Sequence, residues 1–158
     1  MSIDATYADW LMGLALEQAQ LAWDLDEVPI GAVVARGDEI LAACHNRRIL
    51  DSDPTAHAEL LAIRAAAEVV GDWRLTGGSL AVTLEPCIMC AGAIVLSRLD
   101  AVVYGAADPK AGAVDTLYDV LRDERLNHSP EILAGVRGEA CGQILTDFFR
   151  AQRAKGKK

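Results

Sequence analysis

From residue 4 to residue 24, apolar side chains recur near helical spacing through Tyr7, Leu11, Leu14, Leu21 and Leu25, until Pro29 closes the segment. That spacing predicts an amphipathic helix with these side chains turned toward a core. Two short apolar runs follow, residues 30–35 and 40–44. Joined by Arg36-Gly37-Asp38-Glu39, they predict a β-hairpin. Asp53-Pro54 predicts the start of a second helix, because Asp caps well and Pro at the first helical position loses no needed hydrogen bond. Leu60, Leu61, Ile63, Ala67 and Val70 carry that pattern to Gly71. Residues 79–84 read as a buried strand, Pro86 opens a third helix running through Ile94 to about Arg98, and residues 101–105 form the next strand. A strand, helix and strand of these lengths predict a parallel pair with a right-handed crossover. Residues 131–133 and then 139 to about 153 complete the pattern as a short strand and a last helix. No internal repeat or linker divides the chain.

Composition narrows this picture. With 158 residues the chain has the size of one domain, residues 1–158, able to bury a core without disulfide staples. Apolar runs are broken by Gly, charge or polar residues well short of a membrane span. Met1-Ser2-Ile3-Asp4-Ala5-Thr6 holds no basic cluster, and the first Lys or Arg is Arg36, which argues against a signal or transit peptide. A cytoplasmic protein without a membrane partner is expected. In that setting four cysteines imply metal ligands or buried thiols, not a disulfide framework. Cys44 lies in a strand-like run and Cys141 in the last helix, where both read as small buried hydrophobes.

A net charge of −8 weighs against nucleic-acid binding if averaged over the surface. The distribution changes that. Arg150, Arg153, Lys155, Lys157 and Lys158 form a basic tail over residues 150–158, on an otherwise acidic body. Such a tail suits a local phosphate contact; a solvated terminus is the plainer alternative.

The chemistry is concentrated in His57-Ala58-Glu59 and Pro86-Cys87-Ile88-Met89-Cys90. Together they offer one imidazole, two thiols and a carboxylate outside the ligand set. Three protein ligands leave the fourth tetrahedral position of Zn²⁺ open, as in catalytic sites. Cys-x-x-Cys alone is ambiguous among metal ligands, redox pairs and accident, and His-x-Glu alone is common. Joined in this order they match the H-x-E and P-C-x-x-C signature of zinc-dependent nucleobase deaminases. Cys87 and Cys90, three apart at a helix start, share a face near the positive helix end, which favours thiolate. His57, also at a helix start, is expected to stay neutral and free to bind metal. Glu59 sits two residues on, where side chains of a regular helix diverge by roughly 200°. Its reach to the metal's water therefore requires His57 to lie in an irregular first turn. Zinc, one ion per subunit, would lower the pKa of that water from about 15.7 toward about 7, with Glu59 carrying protons.

The chain also resembles the bacterial-type tRNA adenosine deaminases. The resemblance runs through Glu27-Val28-Pro29-Ile30-Gly31-Ala32-Val33, Asn46-Arg47, Asp53-Pro54-Thr55-Ala56-His57-Ala58-Glu59, Thr83-Leu84-Glu85-Pro86-Cys87-Ile88-Met89-Cys90-Ala91-Gly92-Ala93, Tyr104-Gly105-Ala106, Asp108-Pro109-Lys110, Asn127-His128 and Asp147-Phe148-Phe149-Arg150. It implies a three-layer α/β/α, cytidine-deaminase-like fold with a mixed five-stranded sheet. It implies conversion of the wobble adenosine of a tRNA anticodon stem-loop to inosine, by a homodimer whose shared face helps form the RNA site. By the same resemblance Asn46 holds the target base; Glu27, Pro29, Ile30, Leu84 and Pro86 line its pocket; and Ala58 offers its backbone amide. Ala106, Asp108 and Lys110 meet the flanking nucleotides, and one of Phe148 or Phe149, with Arg150, reaches the RNA. Residue by residue the bland readings are a turn-stabilising asparagine, core packing for the apolar members and a plain turn after the strand. His45 and His128 read as surface or hydrogen-bonded histidines.

Two other functions stay open. A free-base deaminase, acting on guanine or cytosine, would use the same zinc machinery under a lid, whereas an open pocket beside the basic C-terminal helix favours RNA. A zinc-stapled binding module without catalysis would need a fourth protein ligand from Cys44, Cys141, His128 or His45.

Overall fold

Strand β1 (Gly31–Arg36) lies second in a five-stranded mixed sheet of order β2-β1-β3-β4-β5. The computed structural model describes residues 3–156, so Lys157 and Lys158 of the basic tail lie outside the described residues. The hairpin expected from the apolar runs is present: β1 pairs antiparallel with β2 (Glu39–His45) across a turn in which Gly37 takes φ 58°, a backbone glycine adopts without cost. On its other side β1 pairs antiparallel with β3 (Ser79–Leu84), which pairs parallel with β4 (Ala101–Ala106), itself parallel to β5 (Glu131–Ala134). Alternation along the strands sorts side chains to two faces. Val34, Leu80, Val82 and Val102 point into one core with helices α2 (Ala58–Val70) and α3 (Ile88–Ser97). Val33, Ala35, Ala81 and Val103 point into the other, with α1 (Ala5–Asp24) and α4 (Gly138–Ala154). Both faces being covered explains why β3 and β4 read as continuous apolar runs. The α/β/α layers and the β3–α3–β4 crossover agree with the sequence pattern.

Three expectations need correction. The inward face of α1 is Ala8, Leu11, Met12, Ala15, Ala19 and Ala22, whereas Leu21 and Leu25 are about half exposed. The reason is close approach: small residues let the helix lie almost on the β1 backbone. A Cβ at Gly31 would fall 2.0 Å from the Ala15 carbonyl oxygen and 2.6 Å from the Ala19 nitrogen. Gly31→Ala is therefore expected to destabilise the fold by roughly 3 kcal/mol, the upper end for overpacking, because backbone cannot yield as a side chain can; urea unfolding measures it. The second helix begins at Ala58, not at Pro54. Asp53 does cap, but it caps a turn: its Oδ1 accepts from the Thr55 N–H (2.8 Å) and hydroxyl (2.7 Å), and Ala56 N–H returns to the Asp53 carbonyl. Likewise α3 begins at Ile88, with Cys87 and not Pro86 at its cap position. Both shifts place a candidate ligand at the boundary itself.

Among the described residues no helix is long and apolar enough to cross a membrane.

Candidate metal centre and substrate cleft

His57 is the N-cap residue of α2 and Cys87 the N-cap residue of α3, each with extended backbone and no capping hydrogen bond from its side chain. Cys87 Sγ and Cys90 Sγ each lie 3.6 Å from His57 Nδ1, and the three donor atoms sit within 4.8 Å of one another. A tetrahedral ion with bonds of about 2.3 Å to sulfur and about 2.0–2.1 Å to nitrogen has an S···N edge of about 3.6 Å, so the spacing fits such an ion. The donor chemistry points the same way. Hydrogen bonds from Cys90 and His57 outweigh burial and draw the Cys87 thiol down to about 3, while that shared bond, burial and neighbouring negative charge push Cys90 far up. Without a cation between them only one of the two adjacent sulfurs carries the negative charge, and an ion bound to both would let the second ionise. His57 is raised by its bond to the Cys87 sulfur against the opposing effect of burial.

The extended backbone at His57 (φ −78°, ψ 147°) removes the roughly 200° divergence that a regular helix would impose on Glu59. Glu59 enters as the second residue of α2, is 4% exposed and lies against His57 and Cys90 without joining the donor set. Burial pushes its carboxyl up to about 7, against the lowering effects of its own N–H and His57.

Among the described residues no other His, Cys, Asp or Glu completes the donor group. His45 Nδ1 lies 2.8 Å from the Asn46 carbonyl and His128 Nε2 2.6 Å from the Leu99 carbonyl. Cys141 is packed in the α1/α4 core, and Cys44 is half-buried against the α2/α3 core. Among the described residues a fully protein-ligated structural site has no fourth ligand.

His57, Glu59 and Cys87 line a cleft of about 800 Å³. Of the residues expected around a base, Ile30, Asn46, Ala58, Leu84, Asp108, Lys110 and Phe149 line it. Asn46, 2% exposed, donates from Nδ2 to the Val28 carbonyl (3.2 Å) and accepts the Arg48 N–H (3.2 Å), so it braces its loops and faces the cleft at once. The aromatic pair divides: Phe148 is buried, packed edge-on against Trp23, and Phe149 is 43% exposed in the cleft wall.

Five expected residues stand elsewhere. The Glu27 carboxylate is turned to the Ile49 and Leu50 N–H groups (3.0 and 2.9 Å), because those loop amides have no strand partner. Pro29 is buried beside it, and Val28 and Arg48 take their places in the lining. Pro86 is buried behind Cys87, its carbonyl accepting the Ala113 N–H, and Ala106 is held at the end of β4 by its bond to Glu85 N–H. Arg150 is exposed, 3.9 Å from Asp147.

Unforeseen lining comes from Glu85 and from Gly142, Leu145 and Thr146, which with Phe149 form one stripe of α4. Spacing of three and four along that helix was a readable signal. Arg48 is also unforeseen; Arg47 is locked on Asp51 at 2.9 Å, whereas Arg48 makes no side-chain ion pair among the described residues.

A family model of MafB19-like deaminases matches residues 8–153. The chain is 49% identical to a tRNA-specific adenosine deaminase of Bacillus subtilis, over 96% of this chain and 94% of the relative. It is 42% identical to a tRNA-specific adenosine deaminase of Haemophilus influenzae, over 98% of this chain and 90% of that one. A solved structure from work on A-to-I editing by tRNA:A34 deaminases at the wobble position of transfer RNA superposes with a TM-score of 0.82 at 43% identity, covering 86% of this chain and 99% of its own. Likeness of this extent, in sequence and in fold, makes the chain a member of the MafB19-like deaminase family, and within it of the tRNA-specific adenosine deaminases.

Proposed function

We propose that the cleft hydrolytically deaminates the wobble adenosine of a tRNA anticodon stem-loop, releasing ammonia and leaving inosine. One observation carries the choice of RNA over a free base: the cleft is walled by exposed Phe149, Lys110 and Arg48, so a base can enter while still attached to its strand. In this reading residues 1–158 act as one deaminase domain, and a tRNA substrate supports a cytoplasmic setting.

His57 Nδ1 and the sulfurs of Cys87 and Cys90 are the zinc ligands. Bound there, one zinc per subunit supplies a Lewis acid that makes water acidic enough to lose a proton near neutral pH. Glu59, poised near 7 by burial, would carry both protons of the attacking water. The first goes to purine N1 as the water oxygen bonds C6; the second, from the resulting C6 hydroxyl, goes to the amine as its C6–N bond breaks and the C6 carbonyl forms. Asn46 spends one N–H on Val28 and one lone pair on Arg48, so its amide keeps a donor and an acceptor for the purine edge. Ala58, the first residue of α2, adds an N–H that the helix cannot use. Ile30 and Leu84 exclude water from the faces of the ring.

Arg48, Lys110 and Phe149 bind the neighbouring nucleotides, with Arg150 and the basic tail farther out. Stacking on an aromatic is worth about 1–3 kcal/mol per base, so Phe149→Ala is expected to weaken stem-loop binding by roughly 5- to 150-fold. Its turnover at saturation should stay near normal, which titration and single-turnover kinetics separate. The proposed assembly is a homodimer joined where α3 exposes Ile88 and Leu96, directly after the ligand Cys87. The reading itself is tested by offering zinc-loaded protein a stem-loop and free guanine side by side; inosine without xanthine supports it, and xanthine alone refutes it.

A further inference from the structure

The connection from β4 to β5, residues 107–130, carries no helix or strand, yet it supplies Asp108 and Lys110 to the cleft. Irregular connections of that length are uncommon in compact domains and need an internal support. Ala113, Val114 and Leu121 anchor this one in the core and the Ala113 N–H bonds the Pro86 carbonyl, but one side chain gathers five of its donors. Glu85, 2% exposed, follows cleft-lining Leu84 and precedes the Pro86-Cys87 turn. Its Oε1 accepts the Asp108 N–H (3.0 Å) and the Thr116 hydroxyl; its Oε2 accepts the N–H groups of Val114 (3.1 Å), Asp115 (2.8 Å) and Thr116 (3.1 Å). The loop closes directly over the carboxylate: a Cβ on Gly112 would fall 2.4 Å from Glu85 Cδ. Five donors converging on two oxygens are matched only by an acceptor-only group.

We infer that Glu85 is a positioning residue for RNA binding, holding the 108–116 segment as the cleft wall that meets the nucleotides flanking the target. Glu85 is absent from the metal donor group, and its bonds run to the loop. Its effect is therefore on substrate capture, not on metal loading or the chemical step. The inference rests on the RNA reading above.

Glu85→Gln keeps the size of the side chain but turns an N–H₂ toward donors. With zinc content verified, the expected result is a KM for the anticodon stem-loop raised roughly 10- to 100-fold, with kcat within about threefold of the parent. Thr116→Val removes one donor without touching the buried site and should shift KM the same way by less, so the inference does not depend on Glu85→Gln folding. Amide hydrogen exchange of the zinc-loaded proteins without RNA gives an independent readout: residues 108 and 114–116 should exchange faster in both variants. Unchanged KM and exchange overturn the inference, as does a kcat loss accompanied by zinc loss. A parent protein that makes no inosine overturns the RNA reading instead, and unchanged exchange in the variants would then still refute the positioning role.

Discussion

Glu59→Ala is expected to fold, to hold one zinc per chain and to deaminate about 10²- to 10⁴-fold more slowly than the parent, the usual worth of a positioned proton carrier. Zinc is retained because Glu59 lies outside the donor group of His57, Cys87 and Cys90. Turnover falls because no other described carboxylate among the lining residues is free to serve in its place: Glu85 is committed to its loop, and Asp108 accepts the Lys110 and Ala111 N–H groups. Stability should not fall with it. A carboxyl raised to about 7 by burial is one the fold holds against its own preference for water, so its removal is expected to leave the thermal midpoint at or above the parent value. Metal analysis, steady-state inosine formation and a thermal melt together check the pattern. A Glu59→Ala protein that kept full turnover would remove Glu59 from the proton path.

Cys87→Ala is expected to do the opposite, losing metal and activity together. Its sulfur supplies one of three donors and one of the two negative charges that neutralise the ion. Bound zinc should fall from one per chain to near zero after desalting, with inosine formation at background. Because a ligand at free concentration L that binds only the folded chain stabilises it by RT ln(1 + L/Kd), the melt should shift down to that of chelator-treated parent. Cys44→Ala is the control. That thiol lies outside the donor group, and its loss should leave zinc content unchanged.

How much of this was readable from residues alone depended on the range of the interactions involved. Local periodicity located every strand and helix to within a few residues, because β1, β3 and β4 are apolar on both faces and the crossover helix α3 falls between parallel strands. The donor group was readable because its residue types and spacing constrain one another. The inward face of α1 was not: its seam of Ala8, Ala15, Ala19 and Ala22 has weak hydrophobic contrast, and exposed Leu21 and Leu25 outweighed it. Asp53-Pro54 carries a capping signal that an Asx turn satisfies as well as a helix does. Glu27 and Glu85 were beyond reach for another reason. Their partners lie 22 to 31 residues away in sequence, and no local rule says which loop amides will lack a strand partner.

The most direct test is inosine formation at the wobble position of an anticodon stem-loop carrying adenosine there, with zinc-loaded protein and its Glu59→Ala variant compared at equal metal content. Conversion by the parent alone is the expected result. A parent that binds zinc and folds yet leaves the adenosine intact would contradict the assignment of this cleft to tRNA.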